Sequence, residues 1–236
     1  MQKSKMTQVG SICSILSGII FLISGIGFFL FQVRGFDWSS IESVSVYFSI
    51  DPYASAKWAF VNFGAVLASF LAIAGVLALS DEIQLVHAGL VRWTGTLAII
   101  GYSIIAVTNV ADFYEIKRLA LSYGLLDKSA QSALEAMGSG SLDPALNLRF
   151  LTIGPWFLAA GWLSLHDDIL PKVLACLGLV AGIAALLFVL VSLLEMQTLT
   201  LVTGSLAVIF HPIWLIWTGF ALRRVGKGSE QESTGF

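Results

Sequence analysis

Six long apolar runs, separated by short polar breaks, dominate this chain. Four of them contain 22 or more residues without any Asp, Glu, Lys or Arg, one is 19 residues long, and one carries a single arginine. A helix rises about 1.5 Å per residue and the hydrocarbon core of a membrane is about 30 Å thick, so roughly 20 residues cross it. The pattern predicts an all-α polytopic membrane protein, a bundle of six transmembrane helices. They are expected at about residues 9–33, 58–79, 92–112, 144–165, 172–194 and 198–222.

Composition supports the same fold class. Hydrophobic residues make up 57% of the 236 residues and charged residues 12%, against about 25% charged in soluble domains. The six runs and one larger loop use nearly the whole chain, so residues 1–236 are expected to form a single transmembrane domain. The net charge of −2 and the lack of a large basic cluster argue against nucleic acid as a partner.

Basic residues at the two ends of the chain predict its orientation. Lys3 and Lys5 precede the first apolar run, and Arg223, Arg224 and Lys227 follow the last one. Basic residues that flank membrane helices concentrate on the cytoplasmic side. We therefore expect a multi-pass protein of the plasma (inner) membrane with both termini in the cytoplasm.

Two polar breaks on the predicted outer side are long enough to fold. Ser39 and Glu42 have the spacing of a capping box, which predicts a short interfacial helix that ends before Asp51. The second break joins the third and fourth membrane helices. There the carboxylate of Asp127 is placed to cap a short helix through Met137, so a small helical loop is expected outside the membrane.

Small residues at a spacing of four predict where the helices approach each other. Gly178 and Gly182 form a G-x-x-x-G pattern on the fifth membrane helix. In lipid such stripes allow close backbone contact, which burial from water cannot drive there. We interpret them as seams inside one bundle; the alternative is the face of a homodimer. The same spacing recurs in Ser14 and Gly18, and in Gly64, Ala68 and Ala72.

Polar side chains within the apolar runs are candidate functional residues, because polar groups in lipid need partners or water. One hypothesis is an outward-facing polar pocket for a small ligand or a lipid headgroup. The alternative is structural: Asp112 and Arg149 pair and join two helices, while the asparagines satisfy backbone groups. The candidate ligand-binding residues are Asn62, Asn109, Asp112, Arg149, Glu195 and His211.

His211, near the middle of the last run, has several interpretations. A proton relay, a haem ligand and a metal ligand are the functional ones. His87 and His166 lie at the cytoplasmic edge, so a bis-histidine haem or a zinc site is not expected, and no cofactor or metal is predicted. The favoured interpretation is a neutral imidazole bonded to a carbonyl that Pro212 leaves without its helical donor.

Catalytic motifs are missing from the sequence. It contains no G-x-S-x-G, no phosphate-binding loop, no HExxH and no stripe of basic residues on a membrane helix. This absence favours a protein without catalysis, and no catalytic residue is assigned.

Three segments in the second half carry a resemblance: Gly154 to Gly161 (GPWFLAAG), Leu170 to Gly178 (LPKVLACLG) and Pro212 to Gly219 (PIWLIWTG). They resemble an uncharacterised bacterial family of six-helix integral membrane proteins, a domain of unknown function. The resemblance implies a bacterial protein in which a Leu-Pro pair opens the fifth helix and the last helix ends with basic residues. It implies no activity and no catalytic residue.

The function expected from these patterns is non-catalytic. The protein would bind a lipid or a small ligand, or serve as an accessory subunit of a membrane complex. The alternatives are a small transporter or channel, and an intramembrane enzyme that uses the level of Asp112, Arg149 and Glu195. Expected partners are membrane lipids, together with a second copy of the chain or a subunit of a membrane complex.

Overall fold

The computed structural model describes residues 2–33, 41–137, 144–167 and 169–233, and within these ranges the protein is helical with no strand. Six stretches are long and apolar enough to cross a membrane, which confirms the predicted fold class. The helices are α1 (Gln2–Val33), α2 (Ile41–Ile50), α3 (Ala54–Tyr123), α4 (Lys128–Met137), α5 (Pro144–His166), α6 (Lys172–Leu193) and α7 (Gln197–Ser233).

The second and third predicted membrane helices are two limbs of α3. At His87 the backbone leaves the helical region, with φ −132° and ψ 53°. The chain folds back there, so that the two limbs lie side by side. A Cβ on Gly95, in the second limb, would lie only 3.1 Å from Oγ of Ser80 in the first. The expected polar break between residues 79 and 92 is helical instead. It contains no proline, and residues such as Glu82 and Ala88 favour helix.

Several helices extend beyond their apolar runs. α1 begins at Gln2 rather than at residue 9, and α7 continues to Ser233 rather than ending at 222. The second limb of α3 runs to Tyr123, as the good helix formers after the third apolar run predicted. Hydropathy marks the part of a helix that lipid covers, so it underestimates helices whose ends reach water.

Both predicted short helices are present. The interfacial one is α2, which buries Ile41, Val44 and Tyr47 against α3; Ser39 lies outside the described residues. The loop helix is α4, and Oδ1 of Asp127 accepts a 2.8 Å hydrogen bond from the backbone N–H of Ala130, as expected of a cap.

The six membrane-spanning segments form a closed ring. α1 contacts α3 and α7, α3 contacts α5, α5 contacts α6, and α6 contacts α7. We call one end of the ring the kink side, which holds His87 and the turn between α5 and α6. The opposite end, with α2, α4 and the turn between α6 and α7, is the loop side.

Hydroxyl groups on one face of α1 close this ring. Oγ of Ser11 donates to the carbonyl of Gly219, 2.8 Å away, and Oγ of Ser14 to that of Leu215, 2.7 Å away, both on α7. Oγ of Ser17 donates across 2.7 Å to the carbonyl of Ala68 on α3. Thr7 makes a further hydroxyl bond of 2.8 Å to the Glu82 carboxylate.

The glycine stripes lie inside the bundle, as predicted for seams. A Cβ on Gly182 would lie 2.8 Å from N of Leu158 on α5. A Cβ on Gly178 would lie 2.7 Å from the indole nitrogen of Trp214, and one on Gly18 would lie 2.5 Å from the carbonyl of Pro212. Any side chain at these positions would push neighbouring helices apart.

Candidate functional site

A cavity of about 260 Å³ opens between the helices in the loop-side half of the ring. Its wall is contributed by both limbs of α3 and by α1, α5, α6 and α7, and most of it is apolar. The described residues that line it are Phe21, Ser24, Gly25, Val61, Ala65, Ile105, Asn109, Leu146, Arg149, Phe150, Ile153, Phe157, Ala181, Ala185, Ala207, Val208, His211 and Pro212.

Aromatic rings from four helices close the inner end of the cavity. The His211 ring on α7 lies 5.0 Å from Phe21 on α1, 5.5 Å from Tyr102 on α3 and 5.4 Å from Phe157 on α5, centroid to centroid. Trp214 packs edge-on beneath Phe157, 4.7 Å away. We call Phe21, Tyr102, Phe157 and His211 the aromatic floor. Below it lie buried apolar side chains, among them Leu79, Leu163 and Leu174.

The imidazole in this floor has a partner that the sequence did not predict. Nε2 of His211 lies 2.7 Å from the hydroxyl of Tyr102; Tyr102 is fully buried, and His211, which lines the cavity, is half-buried. The expected partner, a carbonyl freed by Pro212, is replaced by a phenol from another helix. The two residues are 109 positions apart, so no local spacing could have indicated their contact.

Two predicted polar residues lie at the opposite, loop-side end of the cavity. The guanidinium of Arg149 on α5 donates to the hydroxyl of Thr108 on α3. Asn109, the next residue on α3, donates one amide hydrogen to the carbonyl of Ile105, 2.8 Å away. Arg149 carries the only charge among the described lining residues.

The other predicted residues are not among the described residues that line the cavity. Asn62 is buried and donates to the carbonyl of Trp58 one turn back, the structural role considered from the sequence. Asp112 lies one turn beyond Thr108 on α3 and is partly exposed. Glu195 is exposed in the turn after α6, with φ 55°, a left-handed conformation that helps to redirect the chain. The structure therefore groups Asn109, Arg149 and His211.

Sequence reasoning missed Ser24. It lines the cavity with 5% of its surface exposed, and its hydroxyl has no hydrogen-bond partner among the described residues. A signal was present: hydroxyl residues recur on α1 at steps of three and four through Thr7, Ser11, Ser14 and Ser17. Ser24 continues that face after a gap at Phe21.

The donor set suits an organic ligand better than a metal ion. Among the residues that the structure describes, no three His, Cys, Asp or Glu come together. The cavity instead offers apolar walls, a cationic end and a hydroxyl. Such a wall binds apolar chains by contact and an oxygen-bearing group by directed hydrogen bonds.

No protein-family model, curated protein or solved structure matches this chain. The resemblance to an uncharacterised bacterial family therefore stays a prediction.

Proposed function

We propose that this protein is a non-catalytic, membrane-embedded binding protein for a single-chain amphiphile. The apolar part of the ligand occupies the cavity between the six helices, and its polar head lies at the loop-side end beside Asn109 and Arg149. The observation that carries the proposal is the cavity itself, a mostly apolar space with Asn109 and Arg149 at its loop-side end.

The size of the cavity selects the class of ligand. A dry cavity of about 150 Å³ accommodates benzene, so a space of about 260 Å³ takes roughly ten heavy atoms by simple scaling. A whole two-chain phospholipid is far larger. One acyl chain of medium length, or a compact amphiphile, matches the volume.

The charge at the loop-side end favours a head with acceptor oxygens. Arginine presents several N–H donors in a fixed fork, which suits carboxylates and phosphates. Arg149 already donates to Thr108, and a carboxylate beside it would add a charge-assisted hydrogen bond in an apolar environment, where such a bond is strong.

The aromatic floor favours binding over conduction. A channel or transporter needs a polar path through the middle of the membrane. Here the path ends at Phe157, which is 2% exposed, and at Trp214, which is 1% exposed. In a bacterial plasma membrane with both termini in the cytoplasm, the cavity would face the outer half of the bilayer, where it would take up its ligand from the lipid or the outer surface.

The test is equilibrium binding of radiolabelled decanoic acid to the protein in nanodiscs, with empty nanodiscs subtracted. Gly25 lines the cavity, and a Cβ there would meet nothing within 4 Å. Gly25→Leu should therefore fill the cavity without a clash and abolish saturable binding. Gly89→Leu is the matched control, because Gly89 is exposed and equally uncrowded but lies away from the cavity. Equal binding by the wild type and Gly25→Leu would overturn the proposal.

A second comparison tests the position of the head. Arg149→Gln should weaken decanoic acid binding roughly tenfold or more, as loss of one charge-assisted hydrogen bond does. Arg118→Gln removes the same charge from an exposed position on α3 and should leave binding unchanged. Equal affinities in the two variants would place the head elsewhere.

A further inference from the structure

Ser24 is an exception among the hydroxyl residues on the inner face of α1. Ser11, Ser14 and Ser17 each donate to a carbonyl on a neighbouring helix. Ser24 is as deeply buried, at 5% exposure, yet its Oγ has no partner among the described residues. A buried hydroxyl without a partner is unfavourable in an apolar environment. Ser164, Ser192 and Thr218 have such hydroxyls too, but of these residues only Ser24 lines the cavity, where a ligand could supply the missing acceptor.

The surroundings of Ser24 leave space for such a partner. The residue lines the cavity, and its α1 neighbour Gly25 faces open space. Behind it, on the first limb of α3, stands Gly64. A Cβ at Gly64 would lie 2.5 Å from Oγ of Ser24 and would displace the hydroxyl. In this position Oγ packs against α3 with almost no accessible surface, so rotation about χ1 is needed to turn it toward the adjoining cavity.

Helix geometry gives the depth of this hydroxyl. Ser24 comes three residues after Phe21 of the aromatic floor, and Arg149 comes eight residues before Phe157 of the same floor. At about 1.5 Å per residue, the Cα of Ser24 lies about 4.5 Å above that of Phe21 and the Cα of Arg149 about 12 Å above that of Phe157. The difference, about 7.5 Å, corresponds to roughly six bonds of an extended chain with ordinary bond lengths and angles.

We propose that Ser24 is a specificity-determining residue: its hydroxyl donates a hydrogen bond to an oxygen in the body of the ligand, carried by a chain carbon about six bonds from the oxygens of its head. The ligand class is thereby narrowed from a plain fatty chain to an oxygenated one, with a keto, hydroxyl or ester oxygen in mid-chain. This inference rests on the proposed function, because it assumes that the head lies beside Arg149.

The experiment compares two probes in three proteins. Decanoic acid and 6-oxodecanoic acid differ by one ketone oxygen, an acceptor at the chain position that the depth indicates. Dissociation constants are measured in nanodiscs for the wild type, Ser24→Ala and Ser17→Ala. Ser17→Ala is the matched control, since it removes a hydroxyl of the same helix that is already bonded to Ala68.

The wild type should bind 6-oxodecanoic acid roughly five- to tenfold more tightly than decanoic acid, the effect of one hydrogen bond in an apolar site. Ser17→Ala should keep this preference and Ser24→Ala should lose it, with decanoic acid bound equally by all three. That equality also shows that Ser24→Ala is folded.

Two results would overturn the inference while leaving the proposed function intact. One is decanoic acid binding without any preference for the ketone in the wild type. The other is a preference that survives in Ser24→Ala. Failure of both acids to bind the wild type would instead count against the proposed function.

Discussion

The helices pack closely in the kink-side half of the bundle and separate in the loop-side half. On the kink side, hydroxyls of α1 bond to neighbouring helices, glycines bring backbones together, and large rings such as Trp214 fill the interior. On the loop side the same six spans separate around a cavity of about 260 Å³. There Ser24 lies buried without a partner among the described residues, and a Cβ on Gly25 would meet nothing within 4 Å.

This difference between the halves indicates that the loop-side half is the place to look for a functional site. In lipid, helix association depends on close contact and on hydrogen bonds between helices, so a stable bundle tends to use both wherever it can. On the kink side, α1 does so through Ser11, Ser14 and Ser17. On the loop side the helices separate around the cavity, and three of the six polar residues singled out in the sequence line it: Asn109, Arg149 and His211.

The largest effect should come from adding one methyl group in each half. A Cβ on Gly161 would lie 2.7 Å from the carbonyl of Ala175 and 2.8 Å from N of Leu179, both backbone atoms that cannot rotate away. We expect Gly161→Ala to lower the free energy of unfolding by about 1–3 kcal/mol. Gly25→Ala should leave it unchanged or raise it by up to about 1 kcal/mol, because alanine favours helix. Unfolding by SDS in mixed micelles measures both. Equal losses of unfolding free energy in Gly161→Ala and Gly25→Ala would contradict the difference in packing between the two halves.

An intermediate effect is expected from the hydroxyls of α1. Removing Ser11 and Ser14 together, as Ser11→Ala with Ser14→Ala, should lower the free energy of unfolding by about 1 kcal/mol, since interhelical hydrogen bonds in membranes average about 0.6 kcal/mol each. Ser24→Ala should leave the free energy of unfolding of the ligand-free protein unchanged, because the Ser24 hydroxyl bonds to no described residue. A loss for Ser24→Ala as large as for the pair would show that it too has a partner in the protein.

The smallest effect concerns the boundary between the halves. Tyr102→Phe removes the hydroxyl that contacts His211 and keeps the ring in place, so we expect a loss of about 0.5–1 kcal/mol in unfolding free energy. Tyr114→Phe, on the exposed face of the same limb of α3, is the control and should be neutral. Decanoic acid binding should persist in both variants, because Tyr102 lies beneath the cavity wall rather than in it. A loss of binding in Tyr102→Phe alone would show that the floor positions the ligand.

Much of the fold could be predicted from the sequence, because length and hydropathy decide which segments suit lipid. The six spans, α2, α4 and the seam through Gly178 and Gly182 follow from local patterns of this kind. The reversal between the second and third spans was predicted, but not that helix continues through the expected polar break on both sides of a kink at His87.

The site was predictable only in part. Arg149 and His211 were singled out because polar groups are rare in apolar helices, and both line the cavity. That rule cannot distinguish cavity residues from Asn62, whose side chain donates to a backbone carbonyl of its own helix. The Tyr102–His211 contact and the unpartnered Ser24 depend on how distant helices meet, which no local spacing encodes.

The most direct test of a hollow, ligand-binding half is native mass spectrometry of the protein extracted gently from its membrane. The wild type and Gly89→Leu should each carry about one equivalent of a single-chain, oxygen-bearing amphiphile, and Gly25→Leu should carry none. The same bound species in all three proteins, or a wild type that carries no amphiphile and takes up no added decanoic acid, would contradict the central claim.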